Sequence, residues 1–485
     1  MKLIARLEKS SSFWFLLFIS FIFFLLRWPS LFEPYWYGDE GVYQAVGMLL
    51  RNGASLYSGA WDNKPPLLYL LYALFNSDQF VIRTVSLIFG LASVWVFYLI
   101  ARRLFAKSEK SVVIATSFYV VMFGTRIIEG NIANAENFML LPILISSYFV
   151  ISTDFVKKIW INRISFLAGL ILSLAFLTKM VAVFDFFAFG SFLFVDPEKS
   201  FREKFIQKLI PFVLGFSIPV LLVMSYFFVT NSFKDFLNAF LFSNVGYVGY
   251  ANKFIIPQGL LYLKMVFVAS FVFLLLLKRN SVPRSMIFVL IWFSFSLFNA
   301  FFSQRPYTHY LLILLPSFTL MIGLIISEKR FRLLVGGFLF VSFVIININF
   351  KFHGKLLAYY SNLLAFCSDK QDLNSYQSFF DINTPKDYEL ARYIKSNTKS
   401  ADSIFIWGNN AQLYKLTNKP PILRYTVAYH ITNYPNAISE MDNAINTKKP
   451  KLIIIMPNVG SFPLALNNYN EKVNIRDVKI YEKVP

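Results

Sequence analysis

Cysteine is almost absent from this chain. Cys367 is the only one in 485 residues, which excludes an intramolecular disulfide framework and any cysteine-based zinc site. Histidine is nearly as scarce: His309, His353 and His430 are too scattered to form a metal motif. Charge is thin as well. Asp, Glu, Lys and Arg make up 15% of residues, against about 25% in an average soluble domain. There is no internal repeat, no glycine-rich phosphate loop and no nucleophile elbow, so the sequence offers no solenoid, nucleotide-cradle or serine-hydrolase signature.

Apolar surface is what the chain has in quantity, with 56% hydrophobic and 19% aromatic residues. One core cannot hide that much, so the bilayer must act as solvent. The formal charge of +20 does not point to nucleic acid. The Lys and Arg fall between apolar runs instead of forming a basic patch with interleaved aromatics, which reads as topology signal and contact with anionic lipid. At the N-terminus Lys2, Arg6 and Lys9 precede an apolar run, but Trp28, Pro29, Phe32, Glu33 and Pro34 follow it with no small-residue cleavage site. That run reads as a first membrane helix, not a signal peptide.

Spans of mostly apolar sequence lie near 12–29, 80–100, 111–128, 137–152, 163–178, 180–195, 209–229, 262–277, 285–302, 310–326 and 333–350. They predict an α-helical polytopic membrane protein of about eleven transmembrane helices. The pair 163–178 and 180–195 is short and meets at Thr178-Lys179-Met180, so two spans and a re-entrant pair are both open. Clusters of cations alternate with isolated ones. Lys2/Arg6/Lys9, Arg102/Arg103/Lys107/Lys110, Lys157/Lys158/Arg163, Lys199/Arg202/Lys204/Lys208, Lys278/Arg279/Arg284 and Lys329/Arg330/Arg332 fall on one side. Arg51, Lys64, Arg126, Lys179, Lys234, Lys253 and Arg305 fall on the other. The positive-inside rule then makes the N-terminus cytoplasmic and the C-terminus external.

This divides the chain into a membrane domain, 1–350, which includes a first external loop at 30–65, and a C-terminal soluble domain, 351–485. Segment 66–75 is too short to span and fits either the interface or a place beneath the first loop. Within that loop 40–51 reads as an amphipathic helix with Val42, Val46, Leu49 and Leu50 on one face and Gly53 at its C-cap. In the C-terminal domain Thr384-Pro385-Lys386-Asp387 predicts a helix start with a capping box. The runs 403–408 and 451–456 read as buried strands with a helix at 435–447 between them, a small α/β arrangement.

Chemistry concentrates in the first loop. Asp39-Glu40 follows Tyr35-Trp36-Tyr37-Gly38, and Trp61-Asp62-Asn63-Lys64-Pro65-Pro66 closes the loop. Carboxylates beside aromatic rings suit a sugar, because rings pack on its apolar face while an acid accepts a hydroxyl proton. Lys64, at the entrance to apolar sequence, suits a lipid phosphate near the headgroups. The same residues also fit a solvated loop with Trp and Tyr anchoring at the interface.

The stretch from Tyr37 to Phe75, "YGDEGVYQAVGMLLRNGASLYSGAWDNKPPLLYLLYALF", resembles the first periplasmic loop of the bacterial protein-O-mannosyltransferase-like family, a group of type C glycosyltransferases that includes the lipid A aminoarabinose transferases. "NIANAENFMLLPILI" looks like the family's second-loop acidic motif, "RPYTHYLLILLPSFTLMIG" is similar to its late helix start, and "DSIFIWGNNAQLYKLTNKPPILRY" looks like the soluble domain of many bacterial members. The resemblance implies a type C fold. It implies Asp39 as catalytic base with Glu40 beside it, and Lys64 as the contact to carrier phosphate, with Tyr43, Asp62 and Asn63 in the same substrate-binding motif. It implies a second-loop acid at Glu136, beside Asn137, with Glu129 as the competing position. Arg305, His309 and Tyr310 match the late motif and would grip phosphate or sugar. Asn63 departs from the aminoarabinose transferases, which carry an acid just before this lysine.

The implied function is transfer of a sugar from a polyprenyl-phosphate donor to an acceptor hydroxyl on a lipid, protein or polysaccharide of the cell envelope, at the external face of the cell membrane. The route is a single inverting displacement. No cofactor is required, and a divalent metal is compatible but not indicated. The competing readings are a transporter or flippase of lipid-linked sugars, for which internal repeats are missing, and a polymerase or ligase of lipid-linked oligosaccharides.

Overall fold

The computed structural model describes residues 11–153, 158–195, 200–249, 252–352, 354–457 and 459–484. Of the residues discussed above, Lys2, Arg6, Lys9, Lys157, Lys199 and His353 lie outside those described. A helix stands at each of the eleven apolar runs: Ser11–Arg27, Gln79–Leu104, Glu109–Gly124, Ala135–Ser152, Lys158–Thr178, Val183–Val195, Ile210–Val229, Gly259–Lys278, Arg284–Ala300, Leu311–Ser327 and Arg332–Asn349. Among the described residues eight helical stretches are long and apolar enough to cross a membrane. Glu109–Gly124, Val183–Val195 and Arg284–Ala300, with 16, 13 and 17 residues, are shorter. The chain is a multi-pass membrane protein.

Packing groups the residues into two compact units. The first takes the described parts of Met1–Ser30, Val85–Tyr226 and Ser243–Leu356. At its centre the Arg284–Ala300 helix is buried on nearly every side, whereas Gly259–Lys278 buries only Leu261, Val268 and Leu275. Both are apolar all round, so the first packs on protein and the second presents itself to lipid. Lys158–Thr178 and Ile210–Val229 cross through glycines. A Cβ on Gly169 would stand 2.8 Å from the Phe216 amide nitrogen, and one on Gly215 would stand 3.0 Å from that of Leu170. Only glycine lets the two backbones approach that closely.

The second unit takes Leu31–Thr84, Phe227–Phe242 and Leu357–Pro485. Where the sequence draws one boundary near 350, packing places the first loop with the C-terminal residues. Its sheet has the order β1-β2-β4-β3. Strands β1 (Ile404–Trp407) and β2 (Leu452–Ile455) pair in parallel and are almost wholly buried, as their unbroken apolar runs require. Strands β3 (Tyr469–Ile475) and β4 (Val478–Lys483) form an antiparallel hairpin that the sequence does not announce, because "YNEKVNI" is polar and mostly exposed.

Two local expectations need correction. The Thr384–Asn397 helix has Asn383 as its N-cap with no side-chain capping bond, and Asp387 turns inward to accept from Asn410 and Gln412 instead of closing a capping box. The Gly38–Arg51 helix is not half-exposed, since every residue from Glu40 to Leu49 is buried. Its end is as expected: Gly53, at φ +85°, donates to the Leu50 carbonyl at 3.1 Å. Pro66–Leu74 forms a helix that packs on Gly38–Arg51 through Tyr43, whose ring lies 6.1 Å from Tyr69 and 5.5 Å from Tyr72.

Candidate active site

Asp39 and Glu40 open the Gly38–Arg51 helix, where acids are favoured by the unpaired amides and dipole of the first turn. Their environments differ sharply. Glu40 is buried and receives Arg83 Nε at 3.2 Å and Nη2 at 3.0 Å. The same guanidinium reaches Glu33 at 2.8 Å. Glu33 also accepts from Trp36 Nε1 at 2.7 Å and from the Tyr359 hydroxyl at 2.6 Å. Arg83 and its two carboxylates thus form a dry, hydrogen-bonded charge cluster beneath the helix start. Asp39, one residue away, is half-buried at the surface.

Tyr43 sits one turn after Asp39 on the same helix face. Above its ring, 5.6 Å from the centroid, stands the Lys64 ammonium. Lys64 Nζ donates to Asn63 Oδ1 at 2.9 Å and lies 3.8 Å from Asp62. The Lys64 backbone is clamped at both ends: its amide donates to the Tyr69 hydroxyl at 3.0 Å, and its carbonyl accepts from Tyr57 at 2.8 Å. Tyr69 in turn donates to Asp62 at 2.7 Å. Tyr43, Asp62, Asn63 and Lys64, which the sequence separates by up to a whole loop, therefore meet, and Asp39 lies one turn before Tyr43 on the same helix.

His430 comes to the same spot and was not singled out from sequence. Its Nε2 lies 3.9 Å from Asp62, and its ring meets Trp61 edge-on at 4.8 Å. Trp61 is held by a backbone bond to the Arg424 carbonyl at 2.9 Å and by Tyr434 at 4.2 Å between rings. Burial alone would raise the Asp62 carboxyl, but Lys64, His430 and the Tyr69 hydrogen bond outweigh it and hold it below the usual range. Burial pushes His430 the other way, down to about 4, with Asp62 opposing and Lys64 assisting. At neutral pH the pair is a carboxylate beside a neutral imidazole. A histidine set among the aromatics of "RYTVAYHITNY" was the available signal.

The remaining candidates assemble in the first unit. Glu129, in the left-handed conformation at φ +58°, accepts from the Thr308 hydroxyl at 2.5 Å and contacts His309 Nδ1 at 2.9 Å. His309 Nε2 lies 3.8 Å from Glu136. Glu136 is fully buried and paired with Lys179, whose ammonium stands 4.8 Å over the Tyr310 ring. The choice between Glu129 and Glu136 dissolves, because His309 touches both. Asn137 has a framing task, donating to the Gly130 carbonyl at 2.9 Å. Arg305 lies half-buried in the loop just before Thr308. Lys179 and Thr308 belong to the same cluster, and no sequence motif singles them out. The sequence cue for Lys179 was a lone cation in a tight turn between apolar runs.

Among the described residues no group of three or more His, Cys, Asp or Glu is arranged to hold a metal ion. Glu136 already has an ammonium on one oxygen and Glu129 is committed to Thr308 and His309. These residues do not present a vacant ligand set.

Residues 64–226 match the family model of the dolichyl-phosphate-mannose-protein mannosyltransferases. No curated protein matches the chain. Among solved structures, ArnT from Cupriavidus metallidurans bound to undecaprenyl phosphate is 11% identical and superposes with a TM-score of 0.58, covering 97% of this chain and 98% of that one. This is the type C glycosyltransferase fold. The apo state of the same ArnT, at 12% identity and TM-score 0.56, covers the same shares of both chains. The apo Archaeoglobus fulgidus oligosaccharyltransferase, at 13% identity, gives 0.50 over 92% of this chain and 70% of that one. The type C fold thus extends over nearly the whole chain, and the protein-mannosyltransferase-like match falls on the part that begins at Lys64.

Proposed function

We propose that this chain is a membrane glycosyltransferase that moves a sugar from a polyprenyl-phosphate donor to an acceptor hydroxyl at the external face of the cell membrane. The observation that carries it is the seat of the Lys64 ammonium over the ring of Tyr43, one turn after Asp39 on the same helix. A base and a phosphate-binding cation held on one rigid surface are what a single displacement needs. The ammonium of Lys64 grips the carrier phosphate. The half-buried Asp39 takes the proton of the acceptor hydroxyl as that oxygen attacks the anomeric carbon. The bond to the phosphate oxygen breaks, its electron pair leaves with the carrier, and Lys64 stabilises the resulting charge. One displacement inverts the anomeric centre.

Within each unit the other candidates have parts of their own. Glu40 is locked to Arg83, so its part is to set the helix start and not to exchange protons. Asp62 and Asn63 aim the Lys64 ammonium. Glu136, with Lys179 and His309 fixing its charge, keeps Oε2 without a hydrogen-bond partner among the described residues. A buried carboxylate oxygen in that condition suits a sugar hydroxyl. Because cations of the chain already neutralise these acids, no step here is assigned to a metal. The alternation of cation clusters supports a cytoplasmic N-terminus and an external C-terminal unit.

The test is reconstitution in liposomes with polyprenyl-phosphate sugars, following release of free carrier. Asp39→Asn is expected to lower kcat by about 10²–10⁴, the span of a general base, and Lys64→Ala to raise KM for the donor as well. Full activity in Asp39→Asn would remove that residue from the mechanism. Lipid scrambling without carrier release would favour a flippase.

A further inference from the structure

The Leu356–Cys367 helix, "LLAYYSNLLAFC", has two apolar faces. On the inner one Tyr359 is buried with Tyr376 and Phe380, and Trp36, Leu363 and Phe366 pack against them. On the outer one Leu357 is 84% exposed and Leu364 67%. Seven residues apart, they lie on one line along the helix. Leaving such side chains in water forgoes burial on the scale of the largest single hydrophobic contributions. The same degree of exposure occurs on the apolar membrane helices, as at Val229 with 78% and Leu333 with 91%.

What covers that face is indicated by chain length and charge. The Arg332–Asn349 membrane helix ends seven positions before Leu356. At about 3.5 Å per residue, the helix must begin within about 25 Å of the membrane helix end. Twelve residues of helix span about 18 Å, too little to cross. Lys351 and Lys355 precede the helix, Lys370 follows it, and no acid occurs from 351 to 368. Lysines flanking an apolar, tyrosine-bearing helix match anionic headgroups.

We infer that this helix lies flat in the headgroup layer of the bilayer, with Leu357 and Leu364 among the acyl chains. Its inner face carries that attachment to the active loop. The Tyr359 hydroxyl donates to Glu33, Glu33 is paired with Arg83, and Arg83 holds Glu40 at the start of the Asp39 helix. Tyr359 is thus a positioning residue that ties the loop to the membrane surface. This last link rests on the glycosyltransferase reading, whereas the membrane seat of the helix does not.

Because Cys367 is the sole cysteine, nitroxide labelling is direct. In a Cys367→Ser background, Leu357→Cys and Leu364→Cys are labelled in full-length protein in liposomes of zwitterionic and anionic lipid. Collisions with oxygen and with a water-soluble nickel chelate are then compared. Both labels are expected to meet oxygen and exclude nickel, while an Asn443→Cys control on the exposed side of the Ala437–Lys448 helix meets nickel freely. Nickel access at 357 and 364 equal to the control overturns the membrane seat, and so does dipolar broadening that reports a second copy on this face.

The link to the loop is read separately. Tyr359→Phe is expected to keep the label depth and the donor KM but to lower kcat about tenfold. Unchanged kcat overturns the positioning role. A wild type that releases no carrier overturns the enzymatic reading and leaves the depth result standing.

Discussion

At the scale of single residues, two adjacent acids stand in opposite environments. Asp39 is half-buried and Glu40 belongs to the closed Glu33–Arg83–Glu40 cluster. Removing one partner from a buried ion pair costs about 3–5 kcal/mol, because the other charge is left uncompensated. Arg83→Met is therefore expected to lower the melting temperature strongly and abolish activity together. Asp39→Asn should leave the melting temperature near that of the wild type and lower only kcat, by about 10²–10⁴. Tryptophan fluorescence on the detergent-solubilised chain, set beside carrier release, separates the two outcomes. The sequence shows two acids side by side and cannot tell them apart. What distinguishes them is a guanidinium 43 positions away. The same holds for Glu136, whose partner Lys179 is also 43 positions distant. Residue type picks out the candidates, and only long-range packing sets their environments.

At the scale of elements, the apolar runs and the two buried strands were legible because burial leaves a local signature: eleven helices and strands β1 and β2 stand where hydropathy puts them. The β3–β4 hairpin had no such signature. Nor did the packing of the Gly38–Arg51 helix on the residues around Gln412, which depends on a missing side chain. A Cβ on Gly41 would stand 2.7 Å from the Gln412 backbone nitrogen and 2.9 Å from its Oε1. Gly41→Ala has to push a backbone aside, at about 1–3 kcal/mol. Gly38→Ala meets nothing within 4 Å and should change stability by no more than about 0.5 kcal/mol. Melting temperatures of the two variants test this, and equal values would show that the helix is not seated on Gln412. Loss of activity is expected only in Gly41→Ala, since its displacement moves Asp39.

At the scale of the molecule, two buried groups oppose each other in pH. Burial raises the Asp387 carboxyl from 3.8 to about 6, against hydrogen bonds from Asn410 and Gln412 and the nearby Lys386, with Asp381 assisting burial. Between those values the folded chain binds the extra proton, so this group removes stability as pH rises. Burial lowers His430 from 6.5 to about 4, with Asp62 opposing and Lys64 assisting. There the unfolded chain binds the extra proton, so stability rises with pH. Each effect is on the order of 3 kcal/mol. The two nearly cancel, and the wild type should show little change in melting temperature between pH 4 and 6.5 from these groups. His430→Gln should expose a stability that falls with rising pH over that window. Asp387→Asn should expose one that rises. Parallel profiles for the two variants would refute the assignment.

The pairing of Glu33 with Tyr359 closes a loop of 326 residues. A ribosome adding about 5–20 residues per second needs on the order of half a minute to make that stretch. Throughout that time the segment carrying Asp39 and Lys64 has been made, but Tyr359, Arg424 and His430 have not. The loop has its local partners, Arg83 and Tyr69 among them, but must wait for Tyr359, Arg424 and His430 until the last membrane helix and the chain beyond it have emerged. A nascent or truncated chain therefore holds the candidate residues of the first loop without these late partners. Assembly is its own checkpoint: competence arrives only with the final quarter of the polypeptide.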